Sequence, residues 1–174
     1  MQVELVPGKS GWEAVKPLQA LVYPPEVVAT WVGRDVSWAD ATQRVLVRDE
    51  KGSVVSHVGV YVRDTEWDGL PVRIGGIGGV MTHPDYRSQG HARAALRRAL
   101  TSLHDDAKVA FALLFCEPAL VMFYANQGWK RFVGEVIVQQ PGGSAPFTKF
   151  LAMTLGIRQA AATLGRLDLR GLPW

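Results

Sequence analysis

The chain has 174 residues, 48% of them hydrophobic, enough for one domain, 1–174, with a full core. Its net charge of +3 suits an anionic ligand and is too small and dispersed to indicate a nucleic-acid partner. No run of about 18 apolar residues occurs, so no membrane span is expected. The opening M-Q-V-E-L-V-P lacks a basic region before an apolar run, so no signal peptide is expected either. One cysteine, Cys116, excludes an intrachain disulfide and suits a cytoplasmic location, and four scattered histidines make no zinc pattern.

In chain order, residues 3–6 alternate as a short edge strand would. Helical spacing covers 12–22 and 26–31, separated by Pro24-Pro25. Residues 44–48 are β-rich, 50–53 turn the chain, and 54–62 form a second strand. Asp68-Gly69 is a hairpin signal leading into a strand over 72–82. The continuous apolar run 109–115 has the length of a buried strand. Pro118 can open a helix over 119–126, which Gly128 closes. Strands follow at 132–139 and 147–155, joined by a Pro/Gly/Ser loop over 141–146, and 159–164 has helical character. Hairpins followed by strand–helix crossovers predict an α/β (α+β) chain: a mixed, mostly antiparallel sheet of about six or seven strands flanked by helices.

The stretch V-M-T-H-P-D-Y-R-S-Q-G-H-A-R-A-A-L-R-R, residues 80–98, organises the rest. From His91 onward, Ala92, Ala95, Leu96, Ala99, Leu100 and Leu103 recur at helical spacing, with Arg93, Arg97 and Arg98 off the stripe. A helix opening at Gly90 leaves backbone N–H groups without intrahelical partners and adds partial positive charge, an arrangement that binds phosphate. Neither the Gly-Lys-Ser/Thr of a P-loop nor a three-glycine dinucleotide fingerprint is present.

R-S-Q-G-H-A, residues 87–92, fits the pattern Arg/Gln-x-x-Gly-x-Gly/Ala and so resembles the GCN5-related N-acetyltransferases (GNAT family). F-Y-A-N-Q-G-W, residues 123–129, is similar to that family's segment carrying a tyrosine acid. Together the likeness covers roughly residues 42–138. It implies the acyl-CoA N-acyltransferase fold, acetyl-CoA as cosubstrate and a small amine as acceptor; a homodimer is compatible with it. By this resemblance Arg87, Ser88, Gln89, Gly90, His91, Ala92 and Arg93 hold the cofactor's diphosphate. The backbone of Val80, Met81 and Thr82 holds its pantetheine arm, and a donor near Val80 polarises the thioester.

Amine acetylation requires a proton to leave the acceptor and another to reach the departing thiolate. Tyr124 matches the family's acid by position. The strand R-I-G-G-I-G-G-V-M-T is most similar to that of the aminoglycoside 2'-N-acetyltransferases, but Gly78 stands where they carry a glutamate. Glu117 is then the candidate base, with water relayed by backbone groups as the other option; a favourable charge at a helix start is the alternative role of Glu117. Four glycines, Gly75, Gly76, Gly78 and Gly79, point either to tight packing or a bulge, or to a thin ligand lying along the strand. The ending L-D-L-R-G-L-P-W also resembles that subfamily, which implies that Asp168 and the Trp174 carboxylate meet the acceptor. The competing expectation is that Leu167, Leu169, Leu172 and Trp174 cover the core. Cys116, without an adjacent histidine, is not expected to carry the acyl group. The alternatives to acetyl transfer are a non-catalytic acyl-CoA-binding module and transfer of a longer acyl chain.

Overall fold

The hairpin signal at Asp68-Gly69 forms a two-residue turn in which both residues have positive φ, 50° and 79°. That is the type I′ geometry whose twist matches its flanking strands. It joins β3 (Val54–Trp67) to β4 (Leu70–Thr82), the two longest strands in a computed structural model describing residues 1–174. The chain forms two compact units, and β3 and β4 contribute one half to each.

The first unit comprises Met1–Asp35, Asp40–Tyr61 and Ile77–Ser102. Here β1 (Gln2–Pro7) pairs antiparallel with β2 (Gln43–Arg48), and β2 pairs antiparallel with β3. Helix α1 (Gly8–Val22) buries Val15 and Leu18 against Leu46 and Met81. Each such side chain, once fully buried, contributes roughly 1.5–3 kcal/mol. Pro24-Pro25 separates α1 from α2 (Pro25–Thr30) as expected, with Pro25 at the first helical position, where its missing N–H is harmless. After β4 come a 3-10 turn, Pro84–Tyr86, and α3 (His91–Asp105), which buries Ala95, Leu96 and Ala99 as the spacing predicted.

The second unit comprises Val36–Ala39, Val62–Gly76 and Leu103–Trp174. It contains β5 (Phe111–Cys116), a 3-10 turn (Pro118–Leu120), α4 (Val121–Ala125) and β6 (Lys130–Phe132). Next follow β7 (Glu135–Gln140), β8 (Gly143–Pro146), β9 (Leu151–Gly156) and β10 (Arg166–Asp168). Strand order is β6-β9-β5-β4-β3-β10-β7-β8. The pairing of β10 with β7 is parallel, whereas β5–β9, β6–β9, β7–β8 and β10–β3 are antiparallel, so the sheet is mixed.

The strands number ten, against six or seven expected, because three short ones arise from tertiary pairing. The expected loop 141–146 instead contains β8, folded onto β7 from Gln140↔Gly143 onward. The expected strand 132–139 breaks at Val133 and Gly134, where the tail crosses: the Val133 amide donates to the Thr163 carbonyl and the Glu135 amide to the Gly165 carbonyl. The helix expected over 159–164 does not form. The segment is irregular, its Ala162 carbonyl accepts from the buried Thr154 hydroxyl, and β10 then fills the gap between β3 and β7. Burial of Ala162, Leu167 and Leu169 outweighs the local helical preference.

The glycine-rich strand resolves into two kinds of position. A Cβ on Gly75 would lie 2.5 Å from a Leu103 methyl, and one on Gly76 would lie 2.2 Å from the Trp174 ring. Both therefore serve packing. Gly76→Ala should destabilise the chain by about 1–3 kcal/mol in urea denaturation, because the indole cannot move aside. An unchanged midpoint would contradict this packing role.

Candidate active site

Between β4 and α3 the chain is held by its own side chains. The Arg87 Nε donates to the Thr82 carbonyl at 3.3 Å, and the Gln89 amide donates to the Asp85 carbonyl at 2.8 Å. The Tyr86 hydroxyl donates to Asp49 Oδ2 at 3.0 Å. Ser88 and Gly90 both have positive φ, 61° and 84°. The first helical hydrogen bond runs from the Ala94 amide to the Gly90 carbonyl. Residues 87–90 are exposed, and no heavy atom lies within 4 Å of a Cβ built on Gly90. Left-handed residues of this kind curl successive N–H groups into an anion-binding concavity, and the His91 ring beside them has Nδ1 3.2 Å from Met1 Sδ.

The end of β4 carries the other expected cofactor residues. Val80 and Thr82 are half-buried, whereas the Met81 side chain is in the core with α1, leaving only its backbone for a ligand. Ser56 Oγ donates to the Met81 carbonyl at 2.9 Å and lies 2.9 Å from Thr82 Oγ1. Gly79 leaves the strand conformation, with φ +55°.

Beneath Gly79 lies a pair that the sequence did not reveal. His57, 1% exposed, has Nδ1 2.7 Å from the Gly79 carbonyl and Nε2 3.2 Å from an Arg44 guanidinium nitrogen. Arg44, 7% exposed, also donates through Nε to the Gly8 carbonyl at 2.8 Å and lies 4.5 Å from the Trp12 ring centroid. Burial pushes His57 down to about 4; the Gly79 hydrogen bond opposes that shift and the Arg44 charge adds to it. The imidazole is therefore neutral at pH 7. A histidine within V-V-S-H-V-G-V, polar at a core position of a strand, was the available signal.

In the second unit, Tyr124 sits on α4 at 4% exposure, its ring edge-on to Phe123 and Trp129. Glu117 is exposed and its side chain does not cap the turn that follows. The 3-10 turn it precedes runs directly into α4, so Glu117 stands at the start of that helical stretch, where a negative charge is favourable. Cys116 is buried, and burial pushes its thiol up to about 11; Arg131 lowers it and Glu117 raises it further. A thiol kept protonated in this way is a poor nucleophile. The Trp174 indole donates to the Leu113 carbonyl at 3.1 Å, has Arg63 5.0 Å from its ring centroid, and is buried with Leu167 and Leu169, whereas Leu172, also expected to cover the core, is half-buried. Asp168 is half-buried, and its Oδ1 accepts from the Arg170 amide at 2.8 Å.

The family model described as acetyltransferase (GNAT) domain matches residues 7–132, most of the chain. The chain belongs to the GNAT acetyltransferase family. Its fold is similar to that of the GNAT family N-acetyltransferase YhbS from Escherichia coli in complex with CoA, with TM-score 0.64 and 16% identity over 97% of this chain and 88% of that one. A GNAT family acetyltransferase from Brucella melitensis, in complex with acetyl-CoA, gives TM-score 0.59 and 13% identity over 95% and 94%. A GCN5-related N-acetyltransferase from Kribbella flavida gives TM-score 0.55 and 20% identity over 77% of this chain but only 34% of that one. At these identities the likeness is one of fold. Comparison with curated proteins returns no match.

The buried histidine gives this GNAT chain a pH signature. His57 has a native pKa of about 4 against 6.5 unfolded, so between those values the unfolded state binds more protons. Stability then rises with pH across that window, and is lost as pH falls through it, by about 3 kcal/mol in all. Urea denaturation at pH 4 and pH 7 should show this slope in the wild type and a smaller one in His57→Asn. Equal slopes would contradict a neutral buried imidazole.

Proposed function

We propose that this chain transfers an acetyl group from acetyl-CoA to the primary amine of a small molecule, directly, with both substrates bound together. The observation that carries this reading is the exposed start of α3, with Ser88 and Gly90 left-handed and open space over Gly90. Such a terminus fits a diphosphate. In this reading the amides of Ser88, Gln89, Gly90, His91 and Ala92 bind that group, Arg93 adds positive charge, and Arg87 keeps the loop on Thr82. Acetyl-CoA supplies the activated acyl group. The backbone of Val80, Met81 and Thr82 holds the arm, and the Val80 N–H hydrogen-bonds the carbonyl; one such donor is worth about 3 kcal/mol.

Two protons must then move. Glu117 takes one from the acceptor ammonium, which frees the lone pair. Tyr124 gives one to the departing sulfur, a transfer a phenol can make to a thiolate. The high Cys116 pKa supports direct attack by the amine over a covalent acyl-cysteine. For the acceptor, the likeness of residues 73–82 and of the 167–174 tail to aminoglycoside enzymes places aminoglycoside-like amines first in a panel, with Asp168 and Trp174 as the contacts to test.

Thiol release from acetyl-CoA across that panel tests the proposal. With an accepted amine, Tyr124→Phe should lower kcat by about 100-fold or more, the usual range for a general acid. Gly78, where a carboxylate base would stand, favours the second reading, a non-catalytic acyl-CoA-binding module. Binding of acetyl-CoA with no thiol release for any amine would select it, and release only from longer acyl-CoA esters would reassign the acyl group.

A further inference from the structure

Arg44 and His57 have no part in the chemistry proposed above, yet both are buried polar groups joined by hydrogen bonds. Burying such groups is unfavourable unless their partners are complete, so what they hold in place matters. Strand register explains how they meet. Arg44 is opposite Gly59 and Leu46 is opposite His57, so Arg44 and His57 are diagonal neighbours on one face of β2 and β3. Gly59 between them has no side chain; a Cβ there would lie 3.1 Å from both the Tyr61 hydroxyl and the Gly78 carbonyl, so this face is closely packed.

The proton positions follow from the donor inventory. A guanidinium only donates, so His57 Nε2 must accept from Arg44. The single proton of the neutral ring is then on Nδ1, which donates to the Gly79 carbonyl at 2.7 Å. That carbonyl shares a planar peptide with the Val80 N–H. No peptide bond in the chain is cis, so the two groups point in opposite directions across the plane. Glycine at φ +55° would otherwise let this plane rotate readily. Fixing the carbonyl toward the ring fixes the N–H away from it.

We infer that His57 is a positioning residue, oriented by Arg44, whose Nδ1–H holds the Gly79 carbonyl and thereby sets the direction of the Val80 amide. The inference rests on the proposed acyl transfer, in which that amide hydrogen-bonds the acyl carbonyl. Arg44 extends the device to the start of α1 through the Gly8 carbonyl, and Trp12 covers the guanidinium.

Long-range proton–nitrogen NMR of the histidine-labelled wild-type chain reads the tautomer directly, with His57 assigned by its absence in His57→Asn. A proton on Nδ1 and a bare Nε2 are expected, and the reverse tautomer overturns the inference. In steady-state assays His57→Leu should lower kcat about tenfold or more, since a misdirected oxyanion donor forfeits much of its effect. Its CoA affinity by calorimetry should stay near the wild-type value, because the α3 start is untouched. His57→Asn, whose side-chain N–H can replace Nδ1–H, should recover most of kcat. A purely structural histidine would give matched losses in stability and activity with no rescue. If His57→Leu does not fold, the tautomer and the kcat of His57→Asn decide. Wild-type turnover retained in full by His57→Leu overturns this inference alone, whereas a wild type that turns over no amine overturns the acyl-transfer reading beneath it.

Discussion

Backbone N–H groups that a helix cannot satisfy for itself are the resource on which the proposed function depends. At the start of α3 Ser88 and Gly90 turn the chain left-handed, residues 87–90 are exposed, and the space a Cβ on Gly90 would enter is open. Exposed amides are useful only when they are held still. Arg87, Gln89 and Tyr86 hold the loop with hydrogen bonds to Thr82, Asp85 and Asp49. The buried stripe of Ala95, Leu96 and Ala99 anchors the helix behind it. In the proposed function, a helix start held in this way meets the diphosphate without reorganising at the moment of binding.

The glycines of β4 divide between two physical tasks. Gly75 and Gly76 are small because Leu103 and the Trp174 indole press on them, so packing alone accounts for them. Gly79 is glycine because its backbone is left-handed, and a buried histidine lies 2.7 Å from its carbonyl. One glycine-rich run thus holds both close packing and a left-handed backbone position.

What the sequence disclosed is what local pattern encodes. The Asp68-Gly69 turn, the alternating strands, the Pro24-Pro25 break and the amphipathic α3 depend on neighbours a few residues away. R-S-Q-G-H-A is local as well, and it led to the family that the match over residues 7–132 establishes. β8, β10 and the break at Val133-Gly134 are set by pairing between distant segments, and no periodicity announces them. The tail 159–164 shows the conflict plainly: its helical composition gave way to burial of Ala162 and Leu167. His57 escaped notice for the same reason, since its partner carbonyl is 22 residues away on the neighbouring strand.

The central claim is that the α3 start binds the diphosphate of coenzyme A, and calorimetric titration with CoA tests it most directly. The wild type should give a one-site isotherm with Kd in the micromolar range, about −8 kcal/mol. Gly90→Val should weaken it strongly, because a β-branched residue at φ +84° is strained and disturbs the amides around it. An absence of heat with millimolar CoA, or equal affinity in the folded Gly90→Val variant, would contradict the account.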